Sequence, residues 1–143
     1  MNGGSSQRGV VTMPKVRVVP VVTQYLLNSD ASTTWIYIDL DLPEVALWGP
    51  YLESITAHCD TVNRTPQFQW KIVTYYSTDG VKWSQASDVF AAITANGPSI
   101  PAAYTGVQTF GLHLRFALAA SNISGTAAEH AFVTCALAFQ FRS

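Results

Sequence analysis

Alternation of apolar and polar side chains at every second residue is the feature of this sequence that most constrains its fold. It is clearest over residues 34–42, where the apolar members would share one face: Ile36, Ile38, Leu40 and Leu42. The opposite face would carry aromatic and acidic side chains: Trp35, Tyr37, Asp39 and Asp41. Because successive side chains of a β-strand point to opposite faces, this period of two predicts a half-buried strand.

The same pattern recurs along the chain, and turn-forming residues separate its occurrences. Four further segments show it to different degrees: 51–60, 67–76, 108–119 and 129–141. Residues 15–27 are instead rich in β-branched side chains, and Pro20, which cannot donate to a ladder, favours an edge strand or a bulge there. Asp79 and Gly80 favour a tight hairpin with a returning strand at 81–85. About seven or eight strands and no helix predict an all-β antiparallel β-sandwich that is jelly-roll-like.

The last two strands are expected to pair with each other as a long central hairpin. Matching their apolar faces places Leu114 opposite Val133 and Leu112 opposite Cys135. The whole chain has 143 residues, which fits one domain. We therefore expect a single β-sandwich domain over 14–143, preceded by a flexible Gly- and Ser-rich N-terminal arm over 1–13.

Charged side chains make up only 12% of the sequence, about half of the usual share of roughly 25%. Since interface cores are depleted in charge, such a surface favours a subunit of an assembly, the alternative being a neutral polar coat. The net charge of −1 argues against nucleic-acid binding. The sequence has no apolar run of 18 residues and no signal-peptide pattern, so we expect no membrane partner and no secretion.

Residues for catalysis or metal binding do not converge in the sequence. His58, His113 and His130 lack the spacing of a metal site, and no phosphate loop or nucleophile elbow occurs. Asp39 and Asp41 would share a strand face, but two solvated carboxylates at a sheet edge are the simpler interpretation. We therefore predict a non-enzymatic protein without metal or cofactor, whose two cysteines are buried free thiols.

Aromatic side chains, at 12% of the sequence, offer the best indication of a binding surface. Exposed aromatic residues anchor protein interfaces or form platforms for sugar rings, although they also cap the ends of sandwiches. Arg115 is expected at an interface or paired with Glu129 or Asp88. The predicted interaction surface comprises six residues: Trp35, Tyr37, Trp48, Tyr51, Trp83 and Arg115.

One hairpin resembles that of a known group of binding modules. Residues 73–84 read Val-Thr-Tyr-Tyr-Ser-Thr-Asp-Gly-Val-Lys-Trp-Ser. This segment resembles the central hairpin of discoidin-like β-sandwich modules, in which a Tyr-Ser-x-Asp-Gly-x-x-Trp pattern is frequent. Tyr76, Ser77, Asp79, Gly80 and Trp83 match it. The match covers a dozen residues and describes a hairpin, so no binding residue is carried over.

The chain as a whole resembles small structural proteins of tailed phages in its Gly/Ser arm, its few charges and its succession of strands. Among these proteins are head-decoration subunits that sit as trimers on a capsid. The resemblance implies a virion structural protein, made in the host cytoplasm, that contacts itself and a capsid protein. The alternative is a carbohydrate-binding or receptor-binding β-sandwich module with a glycan partner.

Overall fold

The computed structural model describes residues 16–103, 112–125 and 127–142, and these residues form two four-stranded sheets. The strands are β1 (Val16–Asn28), β2 (Ile36–Leu40), β3 (Leu52–Val62), β4 (Phe68–Ser77), β5 (Ser87–Asp88), β6 (Gly97–Ser99), β7 (His113–Asn122) and β8 (His130–Phe141). Two short 3-10 turns, Pro43–Val45 and Gly49–Tyr51, connect β2 to β3. The predicted arm over 1–13 lies outside the described residues.

The strand order identifies the sandwich as a jelly roll. Sheet I has the order β1-β8-β3-β6 and sheet II the order β2-β7-β4-β5, and every pairing is antiparallel. Strands that are consecutive in the chain mostly lie in opposite sheets, which is the arrangement of a two-sheet, eight-stranded jelly roll. The predicted all-β, jelly-roll-like fold is confirmed.

The expected central hairpin between β7 and β8 is wrong. β7 is an interior strand of sheet II, where Leu114 pairs with Tyr76, whereas β8 is an interior strand of sheet I, where Cys135 pairs with Cys59. Leu112 precedes β7 and belongs to no strand. Both strands point an apolar face into the same core. Aligned apolar residues in the two strands are therefore equally consistent with two strands in stacked sheets and with two paired strands of one hairpin.

The core lies between the two sheets and is rich in large side chains. Phe116 of sheet II meets Phe139 of sheet I edge to face, with ring centroids 5.6 Å apart. Trp70 of sheet II is fully buried, and its indole Nε1 donates a hydrogen bond to Thr61 Oγ1 of sheet I at 3.0 Å. Burying each such side chain stabilises the fold by about 1.5–3 kcal/mol. The sandwich is therefore closed by apolar contact together with a specific polar bond between the layers.

Strand β7 is buried on both of its faces, which an ordinary half-buried strand is not. Its outward-facing Ala117 and Ala119 are inaccessible to solvent. They pack with Val73 of β4, and the side chains of Trp35 and Tyr75 cover them. Small residues at the centre of sheet II thus allow large side chains from both flanks to fold over its outer surface.

Candidate functional site

The outer surface of sheet II gathers aromatic and charged side chains around the two central alanines. Tyr37, Ala119 and Lys71 are opposite one another across β2, β7 and β4. Four residues before Ala119 in β7, Arg115 is opposite Tyr75 on the same face. We call this surface the aromatic face and define it by six residues: Trp35, Tyr37, Lys71, Tyr75, Trp83 and Arg115.

Arg115 is the most unusual member of the aromatic face. Its guanidinium lies over the ring of Tyr75, 4.9 Å from the centroid, and over the ring of Trp83 at 4.5 Å. Its Nε is buried and has no hydrogen-bond partner among the described residues. The expected ion pair is wrong, because Asp88 binds Lys71 and Glu129 accepts a hydrogen bond from the Gln67 amide. The Tyr75 and Trp83 rings therefore hold the Arg115 guanidinium in place, while its buried Nε–H donates to no acceptor among the described residues.

Trp83 reaches Arg115 because a structured loop follows β4. Asp79 Oδ1 accepts hydrogen bonds from the Val81 and Lys82 amides at 2.8 and 2.9 Å. These bonds, that of Lys82 first, hold the pKa of Asp79 below its ordinary value. Gly80 takes the positive φ of 76° that the Asp-Gly pair predicts. The returning strand expected at 81–85 is wrong, however: the Ser84 amide bonds to the Tyr76 carbonyl, but strand pairing with β4 begins only at β5.

Lys71 contrasts with Arg115 on the same surface. Its Nζ lies 2.7 Å from Asp88 Oδ1 and 4.2 Å from the centroid of the Trp35 ring. Its charge is therefore paired as well as stacked. Burial, and next the neighbouring Tyr37, raise the pKa of the Tyr75 hydroxyl, while the Arg115 charge opposes that rise. Of the two cations, Arg115 is the one without an acidic partner among the described residues.

A pocket of about 410 Å³ opens beside Arg115, at the end of β2. Asp39, Asp41 and Trp83 line it together with Arg115, and its floor is apolar, formed by Leu40, Leu42, Pro43, Ala46, Leu114 and Phe116. Neither carboxylate forms an ion pair within the part of the chain that the structure describes. The pocket thus combines the carboxylate acceptors of Asp39 and Asp41, the guanidinium donors of Arg115 and the aromatic ring of Trp83.

Two of the six predicted surface residues lie away from the aromatic face. The ring of Trp48 packs edge to face against Phe141 of sheet I at 4.8 Å, and this half-buried side chain joins the core. Tyr51 is exposed in the turn before β3, and its carbonyl accepts a hydrogen bond from the Arg142 amide. The structure therefore brings together Trp35, Tyr37, Trp83 and Arg115 only.

The outer surface of sheet I is a second candidate that the sequence analysis did not identify. Leu26, Phe132 and Val62 are opposite one another across β1, β8 and β3, and each is about two-fifths exposed. Val18, on the same surface, is 60% exposed. Between Ser54 and Val62 of β3 and along β8, the outward-facing residues include one Asp, Glu, Lys or Arg side chain, that of Asp60. We call Val18, Leu26, Val62 and Phe132 the apolar face.

No signature of metal chemistry or of a membrane-spanning helix appears in the described ranges. No group of three or more potential metal ligands occurs there, and no helix there is long and apolar enough to cross a bilayer. Cys59 and Cys135 are buried free thiols with their Sγ atoms 3.5 Å apart. A hydrogen bond to Cys59, and then burial, raise the pKa of Cys135 far above its ordinary value.

No protein-family model and no curated protein matches this sequence. The fold is similar to solved structures from infectious bursal disease virus. A chain of the Gx strain superposes with a TM-score of 0.64 at 14% identity, over 92% of this chain and 32% of that one. The VP2 subviral particle gives 0.59 at 11% identity, over 89% and 32%. This chain thus spans about a third of those chains, and the likeness shows a shared fold.

Proposed function

We propose that this chain is a non-enzymatic structural subunit of a virus particle, of the capsid-decoration or minor-head type, that acts through protein–protein contacts. The observation that carries the proposal is the apolar face, a nearly uncharged surface across three strands of sheet I. The shared fold with a virus-particle protein supports the same class, since jelly rolls are common among capsid domains.

The size of the apolar face determines what kind of contact it can make. Three strands spaced about 4.8 Å apart with a rise of about 3.3 Å per residue present on the order of 500 Å² over a ten-residue overlap. A standard interface needs about 800 Å² from each partner. One such face therefore supports a weak contact, which becomes effective when neighbouring subunits are held at high local concentration, as in a particle.

The energy of that contact can be estimated from side-chain exposure. Complete burial of a Val, Leu or Phe side chain is worth about 1.5–3 kcal/mol. The members of the apolar face are roughly half-exposed, so covering all four would contribute about 3–6 kcal/mol. Association itself costs about 4–15 kcal/mol. Self-association at micromolar concentration consequently needs more than one contact per subunit, which fits a homo-oligomer, such as a trimer, bound to a capsid protein.

Sedimentation velocity from about 1 to 200 μM tests the proposal. We expect the weight-average mass of the wild-type protein to rise toward the upper end of this range, where a homo-oligomer with more than one contact per subunit would form. Phe132→Asp should abolish that rise, because it puts a charge at the centre of the apolar face, while the thermal midpoint changes little at this exposed position. Val81→Asp is the matched control, since Val81 is also exposed but lies in the loop after β4.

Two results would count against a particle subunit. One is a wild-type protein that stays monomeric over the whole range and does not decorate any capsid shell offered to it. The other is self-association that Phe132→Asp leaves unchanged and Val81→Asp removes, because the contact would then lie away from the apolar face.

A further inference from the structure

We propose that the pocket lined by Asp39, Asp41, Trp83 and Arg115 is a binding site for a neutral sugar unit of a glycan. This site belongs to sheet II, on the opposite side of the sandwich from the apolar face. It is independent of the proposed structural role and would give the particle subunit a second activity, the attachment to a glycosylated surface.

The first argument is the unused donor of Arg115. Roughly nine-tenths or more of buried polar groups in proteins have a hydrogen-bond partner. The buried Nε of Arg115 has none among the described residues, although the side chain lines an open pocket. The Nε atom itself is closed to solvent, so a ligand oxygen that enters the pocket would accept a hydrogen bond from the terminal nitrogens of the same guanidinium.

The second argument is that the donor is already fixed in position. Because Arg115 is stacked on Tyr75 and Trp83, its guanidinium loses little conformational freedom when a ligand binds. Trp83 is itself held by the loop after β4, where the Ser84 amide donates to the Tyr76 carbonyl at 2.9 Å. The recognition elements therefore do not have to be ordered by the ligand.

The charges around the pocket select the class of ligand. Asp39 and Asp41 have no cationic partner within ion-pair distance in the described part of the chain, and they outnumber the single guanidinium. A phosphate, sulfate or carboxylate ligand would meet two like charges. A hydroxyl group both donates and accepts, so a polyhydroxylated ring can donate to the carboxylates while it accepts from Arg115.

The remaining walls fit the same ligand. The apolar floor and the Trp83 ring can pack against the C–H surface of a sugar. Small-molecule sites are commonly built in this way, from apolar and aromatic walls with a few precisely placed polar groups. The volume of about 410 Å³ lies in the lower part of the range of small-molecule sites. One or two sugar units, rather than a long polymer, are therefore the expected occupants.

The test is a panel of immobilised neutral, sialylated and sulfated glycans, followed by calorimetric titration with the strongest neutral binder. We expect binding to neutral glycans. Arg115→Gln should weaken it at least tenfold, and Asp41→Asn severalfold. Arg17→Gln and Asp30→Asn are matched controls at exposed positions outside the pocket, and they should bind as the wild type does.

Arg115→Lys keeps the charge but removes the planar donor fork of the guanidinium, so it should also lose binding even if Arg115→Gln folds poorly. No binding anywhere on the panel would overturn the proposal. Binding to sialylated or sulfated glycans alone would overturn the assignment of a neutral ligand, and an unchanged affinity in both Arg115 variants would overturn the location. Phe132→Asp should retain glycan binding, which separates this test from that of the structural role.

Discussion

Replacing Thr61 by valine is expected to destabilise the protein by about 1–3 kcal/mol, although the two side chains have nearly the same shape. Thr61 Oγ1 accepts the hydrogen bond of Trp70 Nε1 at 3.0 Å across the core, and both residues are at most 1% exposed. The substitution leaves the indole N–H buried without an acceptor, and that penalty is about 1–3 kcal/mol. Trp70→Phe removes the donor and leaves the Thr61 hydroxyl unpaired, while the smaller ring adds a cavity penalty.

A double-mutant cycle isolates the bond from these penalties. In Thr61→Val/Trp70→Phe neither side of the bond remains, so the double variant should be more stable than the sum of the two single losses predicts, by about 1 kcal/mol or more. Urea denaturation followed by far-UV circular dichroism measures all four proteins. A Thr61→Val loss below about 0.5 kcal/mol together with zero coupling would refute the inter-sheet bond.

Three further outcomes are expected. Ala119→Leu should cost about 1–3 kcal/mol in urea denaturation, since Ala119 is completely buried beneath the aromatic face. Backbone amides, that of Lys82 above all, lower the pKa of Asp79 in the folded loop. The contribution of Asp79 to the stability of the loop is therefore present at neutral pH and is lost as the pH falls from about 4 through the folded pKa. The near-UV circular dichroism of Trp83 should follow that loss. Cys59 and Cys135 should react with a thiol reagent only after denaturation, because both are buried.

Each of these outcomes has a clear contrary result. Wild-type stability in Ala119→Leu would show that the outer surface of sheet II is open over β7. An unchanged near-UV spectrum down to pH 2 would show that Asp79 does not order its loop. Rapid modification of either thiol in the native protein would show that the β3–β8 contact is not closed.

The sequence contains enough information for the fold class, because the alternating segments that line the core are long. Residues 130–141 show this most clearly, since buried residues alternate with more exposed ones along β8, whereas in β2 Ile38 of the expected apolar face is 37% exposed. The sequence could not assign β7 and β8 to different sheets. Both strands face the same core, and period two fixes which side is buried but not which neighbour a strand pairs with.

The candidate site was predictable only in part, for the same reason. Trp35 and Tyr37 share a strand face by periodicity, but the approach of Trp83 to Arg115 depends on the register of β4 with β7 and on the loop after β4. The apolar face left a signal that was overlooked. The outward positions of β8 bear no carboxylate or Lys/Arg charge, and Phe132 stands among them, which is unusual for a solvated surface.

Backbone proton contacts measured by nuclear Overhauser spectroscopy test the central claim most directly, since both faces exist only if β7 and β8 belong to different sheets. The account predicts cross-strand contacts between Cys59 and Cys135, which are paired within sheet I, and between Ile72 and Leu118, which are paired within sheet II. Backbone contacts between Leu114 and Val133 would contradict it, because they would place β7 and β8 side by side in one sheet.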